Sequence, residues 1–217
     1  MNFVLVLHVV FGCLVLLAGF VVLITQKGTK RHKLLGRIFV VSMILTSLSA
    51  ILMAYLADDF IYIGVLSFYL VFTSWLTMYR PPNTIGLLEV IAFVTIVTAT
   101  YKLISTGIYA KSLPEQALYG LPFMVYFLFG CFATLCALLD IRVLVKKGLE
   151  GKERLLRHLW RMLFAFQLAM AAFLGQDIFP DLIKEIGGLW LPEMLLLFVM
   201  LYWILAIIFR KGRLISK

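Results

Sequence analysis

The sequence predicts an all-α polytopic membrane protein, a single domain over 1–217 with seven transmembrane helices, N-terminus outside and C-terminus cytoplasmic. Three observations predict it. Hydrophobic residues are 63% of the 217 and charged residues 14%, against about a quarter charged in soluble domains. A water-soluble core of this size could not bury that apolar surface, whereas a bilayer could. The apolar residues come in runs of about 20, the length that spans a hydrocarbon core about 30 Å thick. And the basic residues alternate in density from one linker to the next.

The spans are predicted at Phe3–Ile24, Leu35–Leu56, Phe60–Tyr79, Ile85–Ile104, Tyr119–Val145, Leu159–Ile178 and Leu189–Phe209. All are expected to be helical, because an open sheet or loop in lipid leaves backbone groups without partners. The first run lacks a positive leader and a small-residue cleavage site, so it reads as a retained span rather than a signal peptide. Gly28 interrupts the first basic linker, and Arg80-Pro81-Pro82-Asn83 stops the third span. Pro122 falls in the first turns of the fifth, where a missing N–H is tolerated.

Seventeen of the 20 Lys and Arg residues fall on one side of this threading. The densest stretches are Lys27 to Arg37 and Arg142 to Arg161. Lys102, Lys111 and Lys184 are on the other side, with most of the acids. The positive-inside rule makes the basic side cytoplasmic. The net charge of +9 is therefore topology and contact with anionic lipid headgroups, not a nucleic-acid surface. Cys13, Cys131 and Cys136 lie inside apolar runs without metal-ligand spacing.

Ionisable and amide groups within spans are costly and mark candidate sites. An outer polar group would contain His8, Asp58, Gln176 and Asp177, the site at which the protein is expected to bind or move a small ligand of unknown identity, with proton linkage open. His8 lies roughly 7 Å below the outer boundary; Gly12 and Gly19 share its face and would let a neighbouring helix approach. An inner group would contain His32, Arg37, Asp140, Arg157, His158 and Arg161. Arg157 and Arg161, one helical turn apart, repel unless an anion or acid lies between them. A lipid phosphate suits paired guanidinium groups, and Asp140 or Glu89 could instead neutralise a nearby Arg. Lys27-Gly28 with His32 and Lys147-Gly148 with His158 hint at a parallel repeat of spans one to three and five to seven.

No cofactor is expected. A redox alternative would place haem b on His32 and His158, since His8 lies too far away to share an iron with either; a quinone is the other redox option. A structural or assembly role is a third reading. No phosphate-binding Gly-rich loop, metalloprotease helix or serine-hydrolase elbow is present.

His8 with Gly12, Lys27-Gly28 with His32, Gly36 and Arg37, His158-Leu159-Trp160-Arg161-Met162 and Phe173-Leu174-Gly175-Gln176 form an ordered set. Together they resemble a family of predicted bacterial multi-pass membrane proteins, the domain of unknown function two-three-zero-six. The resemblance implies a bacterial inner-membrane protein and no particular activity.

Overall fold

Seven long helices follow one another among the described residues, which in this computed structural model are 2–176, 178–180, 188 and 190–209. They are α1 (Asn2–Ile24), α2 (Lys30–Leu56), α3 (Tyr62–Tyr79), α4 (Leu87–Ser112), α5 (Phe123–Val145), α6 (Gly151–Leu174) and α7 (Trp190–Phe209). Each predicted span is met by one helix. Six are long and apolar enough to cross a membrane; α6 is the exception. The chain is a multi-pass membrane protein of the all-α class.

Several helices outrun the apolar runs. Thr29 caps α2 by accepting a bond from His32 N at 3.2 Å, so the helix starts in the basic linker, ahead of Leu35. α4 starts two residues later than predicted and runs on to Ser112, and α6 starts at Gly151. The fifth span is shorter at its outer end. Residues 117–122 form a small hairpin, Ala117–Leu118 paired with Leu121–Pro122. Tyr119 and Gly120 have positive φ (48° and 71°), the backbone that closes a two-residue hairpin turn. Pro122 is therefore the residue before α5, not within its first turns. Tyr126 Oη ties the hairpin down by donating to Leu118 O at 2.6 Å.

The bundle is organised around α3 and α6. α3 packs on α2, α4 and α6; α6 packs on α3, α7 and α1. α1 with α2, and α4 with α5, form closely packed antiparallel hairpins. α5 and α6 do not pack this way. They meet through large side chains, with Phe132 stacked on Phe164 at 3.8 Å and edge-on to Trp160 at 6.0 Å. That difference removes the parallel repeat, because its two halves would pack their first helices alike.

Gly19 admits α6 to α1: a Cβ there would run into the Phe166 ring. Gly12, expected to do the same, has open space around it. The buried core centres on Val15, Phe39, Met43, Leu66, Leu70, Ile96, Leu103, Ala165 and Phe166. The outer surface is apolar, with Phe198 62% and Leu128 67% exposed. In lipid such a surface carries no hydrophobic penalty, so packing and polar contacts hold the helices together.

Candidate functional site

The end of the bundle that carries the α3–α4 and α5–α6 loops holds a charged cluster built from α3, α5 and α6. Arg161 is fully buried, Asp140 is 3% exposed and Arg157 8%. Asp140 Oδ1 accepts from Arg157 Nη1 at 2.7 Å and from Arg161 Nη2 at 2.6 Å. Its other oxygen, Oδ2, accepts from Tyr69 Oη at 2.6 Å. The acid between the two arginines is thus a residue of the chain itself.

α3 supplies the rest of the shell through a hydroxyl stripe. Tyr69, Thr73 and Thr77 are spaced by four and share one helical face. Thr73 Oγ1 donates to Tyr69 O at 2.6 Å, and Thr77 Oγ1 donates to Thr73 O at 2.7 Å. Each threonine hydroxyl spends its proton on its own helix and presents lone pairs outward. Arg161 Nη1 donates to Thr73 Oγ1, and Arg157 Nε donates to Thr77 Oγ1 at 2.9 Å. The Arg161 guanidinium also lies 5.0 Å from the Tyr69 ring and 5.1 Å from the Trp160 ring. Such contacts stabilise a desolvated cation by about 2 kcal/mol.

The cluster stays electrostatically unequal. Two guanidinium groups face one carboxylate, and Arg161 Nε is buried without a hydrogen-bond partner among the described residues. A cleft of about 30 Å³ opens beside it, lined by Thr73, Thr77, Arg80, Thr84, Glu89 and Arg157 among others. Arg80 Nε pairs with Glu89 at 3.1 Å, and Glu89 also accepts from Gly86 N at 2.7 Å to cap α4. Arg154 donates to the carbonyls of Thr77, Met78 and Arg80, neutralising the C-terminal end of α3.

Two loops cover the cleft. Asn83 N donates to Leu149 O at 3.2 Å, and Asn83 Nδ2 to Glu150 Oε2 at 2.7 Å. Gly148 has φ +123°, and a Cβ there would strike the backbone of Asn83 and Thr84. Only glycine allows this approach.

The other sequence-predicted residues are more dispersed. His158 Nδ1 donates to Ser74 O at 3.3 Å and lies 3.1 Å from Ser74 Oγ, which itself donates to His158 O at 2.8 Å. His32 sits in the first turn of α2, its Nδ1 buried without a hydrogen-bond partner among the described residues. Arg37 is exposed. In the outer group, His8 Nδ1 donates to Thr46 O at 3.1 Å and lies 3.0 Å from Ser49 Oγ, bridging α1 to α2. Gln176, just past the end of α6, is exposed and donates to Ala172 O of that helix at 2.9 Å. Asp58 is exposed in the α2–α3 turn with φ 50°. Among the described residues no hydrogen bond or ion pair joins His8, Asp58 and Gln176; Asp177 lies outside them.

Sequence reasoning missed the α3 stripe and Arg154. The four-residue spacing of Tyr69, Thr73 and Thr77 was the available signal. The described residues include no group of three or more His, Cys, Asp or Glu placed to hold a metal ion.

No curated protein and no solved structure matches the chain. A family model matches residues 5–81, which cover α1 to α3 and end before the α5–α6 part of the cluster. Over that segment the chain is similar to the predicted membrane protein family DUF2306, the family that its His8, Lys27-Gly28, His32 and Arg37 pattern resembles.

Proposed function

We propose that this is a bacterial inner-membrane protein that binds or moves a small anion at a cleft on its cytoplasmic side. The observation that carries the reading is the excess of buried cation, Arg157 and Arg161 against Asp140, beside a cleft lined by Arg157 itself and by Arg80 with its partner Glu89. An uncompensated charge in low dielectric costs several kcal/mol, on the order of 3–5 when a buried pair is broken. An anion drawn into the cleft offsets part of that cost. The cleft admits a halide or a single phosphate oxygen, and a larger oxyanion requires the Asn83 and Gly148 loops to part. Lys27, Arg80, Lys146 and Lys147 stand at the same helix ends, which supports a cytoplasmic mouth by the positive-inside rule. The inner cluster supports ligand binding better than the outer group does, because His8 and Gln176 are already satisfied by helix backbone.

The test is thermal melting in lipid-free detergent at constant ionic strength, with chloride, sulfate or inorganic phosphate replacing gluconate. The reading expects a saturable rise in Tm with at least one of them, lost in Arg80→Gln. A water-soluble short-chain anionic phospholipid forms a parallel arm. Stabilisation by it but by no inorganic anion makes the ligand a lipid headgroup. No anion-specific shift in any arm removes the proposal.

A further inference from the structure

A second feature lies on the opposite flank of the bundle. Between α1 and α7 runs an apolar groove of about 640 Å³, floored by Phe20, Leu23, Ile24, Leu196, Val199 and Trp203 among others. Its lining is almost wholly hydrocarbon and aromatic. At its cytoplasmic end Lys27 turns back over the end of α1 instead of reaching into water. Its Nζ donates to Val22 O at 2.9 Å and Leu23 O at 2.8 Å, and lies 5.3 Å from the Trp203 ring centre. Lysines near helix ends ordinarily extend toward the headgroups. Here two of the three ammonium protons are fixed to carbonyls at the groove rim, leaving one for an anion. Lys30 and Arg31 follow in the next turn of chain, both exposed.

We propose that this groove is a binding site for an anionic phospholipid, one acyl chain lying between α1 and α7 and the phosphodiester held by Lys27. The occupant follows from charge complementarity: an apolar slot with a pinned ammonium at its rim, and two further exposed cations within four residues of it in the chain, matches an amphiphile with a negative head. A zwitterionic lipid offers the same chain but a weaker net attraction, since each basic residue near the surface contributes about 1 kcal/mol toward anionic lipid. Burial also holds the Lys27 pKa below the ordinary lysine value, and a phosphate at Nζ reverses that penalty. The site shares no residue with the anion cleft, so either can fail alone.

Trp203 is the reporter. The full-length protein is reconstituted into vesicles containing brominated phosphatidylglycerol or brominated phosphatidylcholine at equal mole fraction. The Trp203 signal is the difference between wild type and Trp203→Phe. The proposal expects Trp203 to be quenched at several-fold lower mole fraction of the anionic lipid. Lys27→Gln should abolish that preference with the helical circular-dichroism spectrum unchanged, and Val199→Phe should lower quenching by both lipids. Equal quenching of the wild type by both lipids overturns the proposal. So does a preference that survives Lys27→Gln. Absence of quenching by either lipid means that protein, such as a second copy of the chain, covers the groove, and also overturns it.

Discussion

Asp140→Asn removes the carboxylate on which Arg157 and Arg161 converge, at 2.7 and 2.6 Å, while keeping its shape. With charge centres about 4 Å apart and an effective dielectric constant of about 20, each attraction is about 4 kcal/mol. The Arg157–Arg161 repulsion is present with or without the carboxylate, so the loss is both attractions less the desolvation cost of several kcal/mol that a neutral amide no longer bears, a net of about 4 kcal/mol. Measured losses on breaking a buried pair fall in the same range, about 3–5 kcal/mol. For a chain of this size each kcal/mol moves Tm by about 2–4 °C, so the variant should melt roughly 6–20 °C below wild type. The assay is thermal unfolding in detergent, followed by the fluorescence of a fused reporter on gel filtration. A second variant separates charge imbalance from lost packing. Asp140→Asn combined with Arg161→Met removes anion and cation together and should recover most of the loss, because the stranded cation is the main penalty. If Asp140→Asn melts within about 2 °C of wild type, or the double variant is no better than the single, the cluster does not carry the energy assigned to it.

Tyr69→Phe deletes one hydrogen bond to an ionised carboxylate and should cost about 1.5–3 kcal/mol in the same melt; an unchanged Tm would place the hydroxyl outside the network. Gly148→Ala meets both a positive φ and the Asn83–Thr84 backbone, so it should part the α3–α4 and α5–α6 loops, and a cysteine at Asn83 should then react faster with a maleimide than in the parent. His8→Ala removes one bond across the α1–α2 seam and should cost only about 0.6–2 kcal/mol; a much larger loss would give His8 a role beyond the seam. Hydrogen bonding from Lys146, with the Arg142 charge adding to it, holds the Glu153 carboxyl below its ordinary range. Its stabilising contribution is therefore complete above the unfolded-state pKa and lost as pH falls through the lowered folded value. Because the pair is exposed, Glu153→Gln should leave the neutral-pH melt nearly unchanged. For orientation, an impermeant maleimide added outside intact cells should label Lys111→Cys and not Lys147→Cys.

The helices were legible because burial in lipid is a property of each residue alone. A run such as Phe3–Ile24 needs no partner to be stable in hydrocarbon, so its hydropathy reports it directly. Helix ends were less legible. α2 begins in basic residues because Thr29 supplies a cap, and α5 begins late because Tyr119 and Gly120 turn back into a hairpin. Neither event changes hydropathy. The site was half legible. The one-turn spacing of Arg157 and Arg161 demanded an anion, and Asp140 and Glu89 were the acids near enough in the threading to supply one. The hydroxyls of α3 were silent, because a threonine that bonds its own i−4 carbonyl is ordinary in a membrane helix.

By itself, then, the sequence determined the class of protein, the number of long helices and which ends gather the positive charge. Tertiary structure decided which charges meet. It rotated α3 so that Tyr69 meets Asp140 of α5 while Thr73 and Thr77 face the arginines of α6, gave Asp140 to both arginines, paired Glu89 with Arg80, and left His8 on a seam instead of in a cavity. The division has one physical cause. Partition into lipid depends on local composition, whereas satisfaction of a buried charge depends on helix rotation and packing, which residues distant in the chain set together.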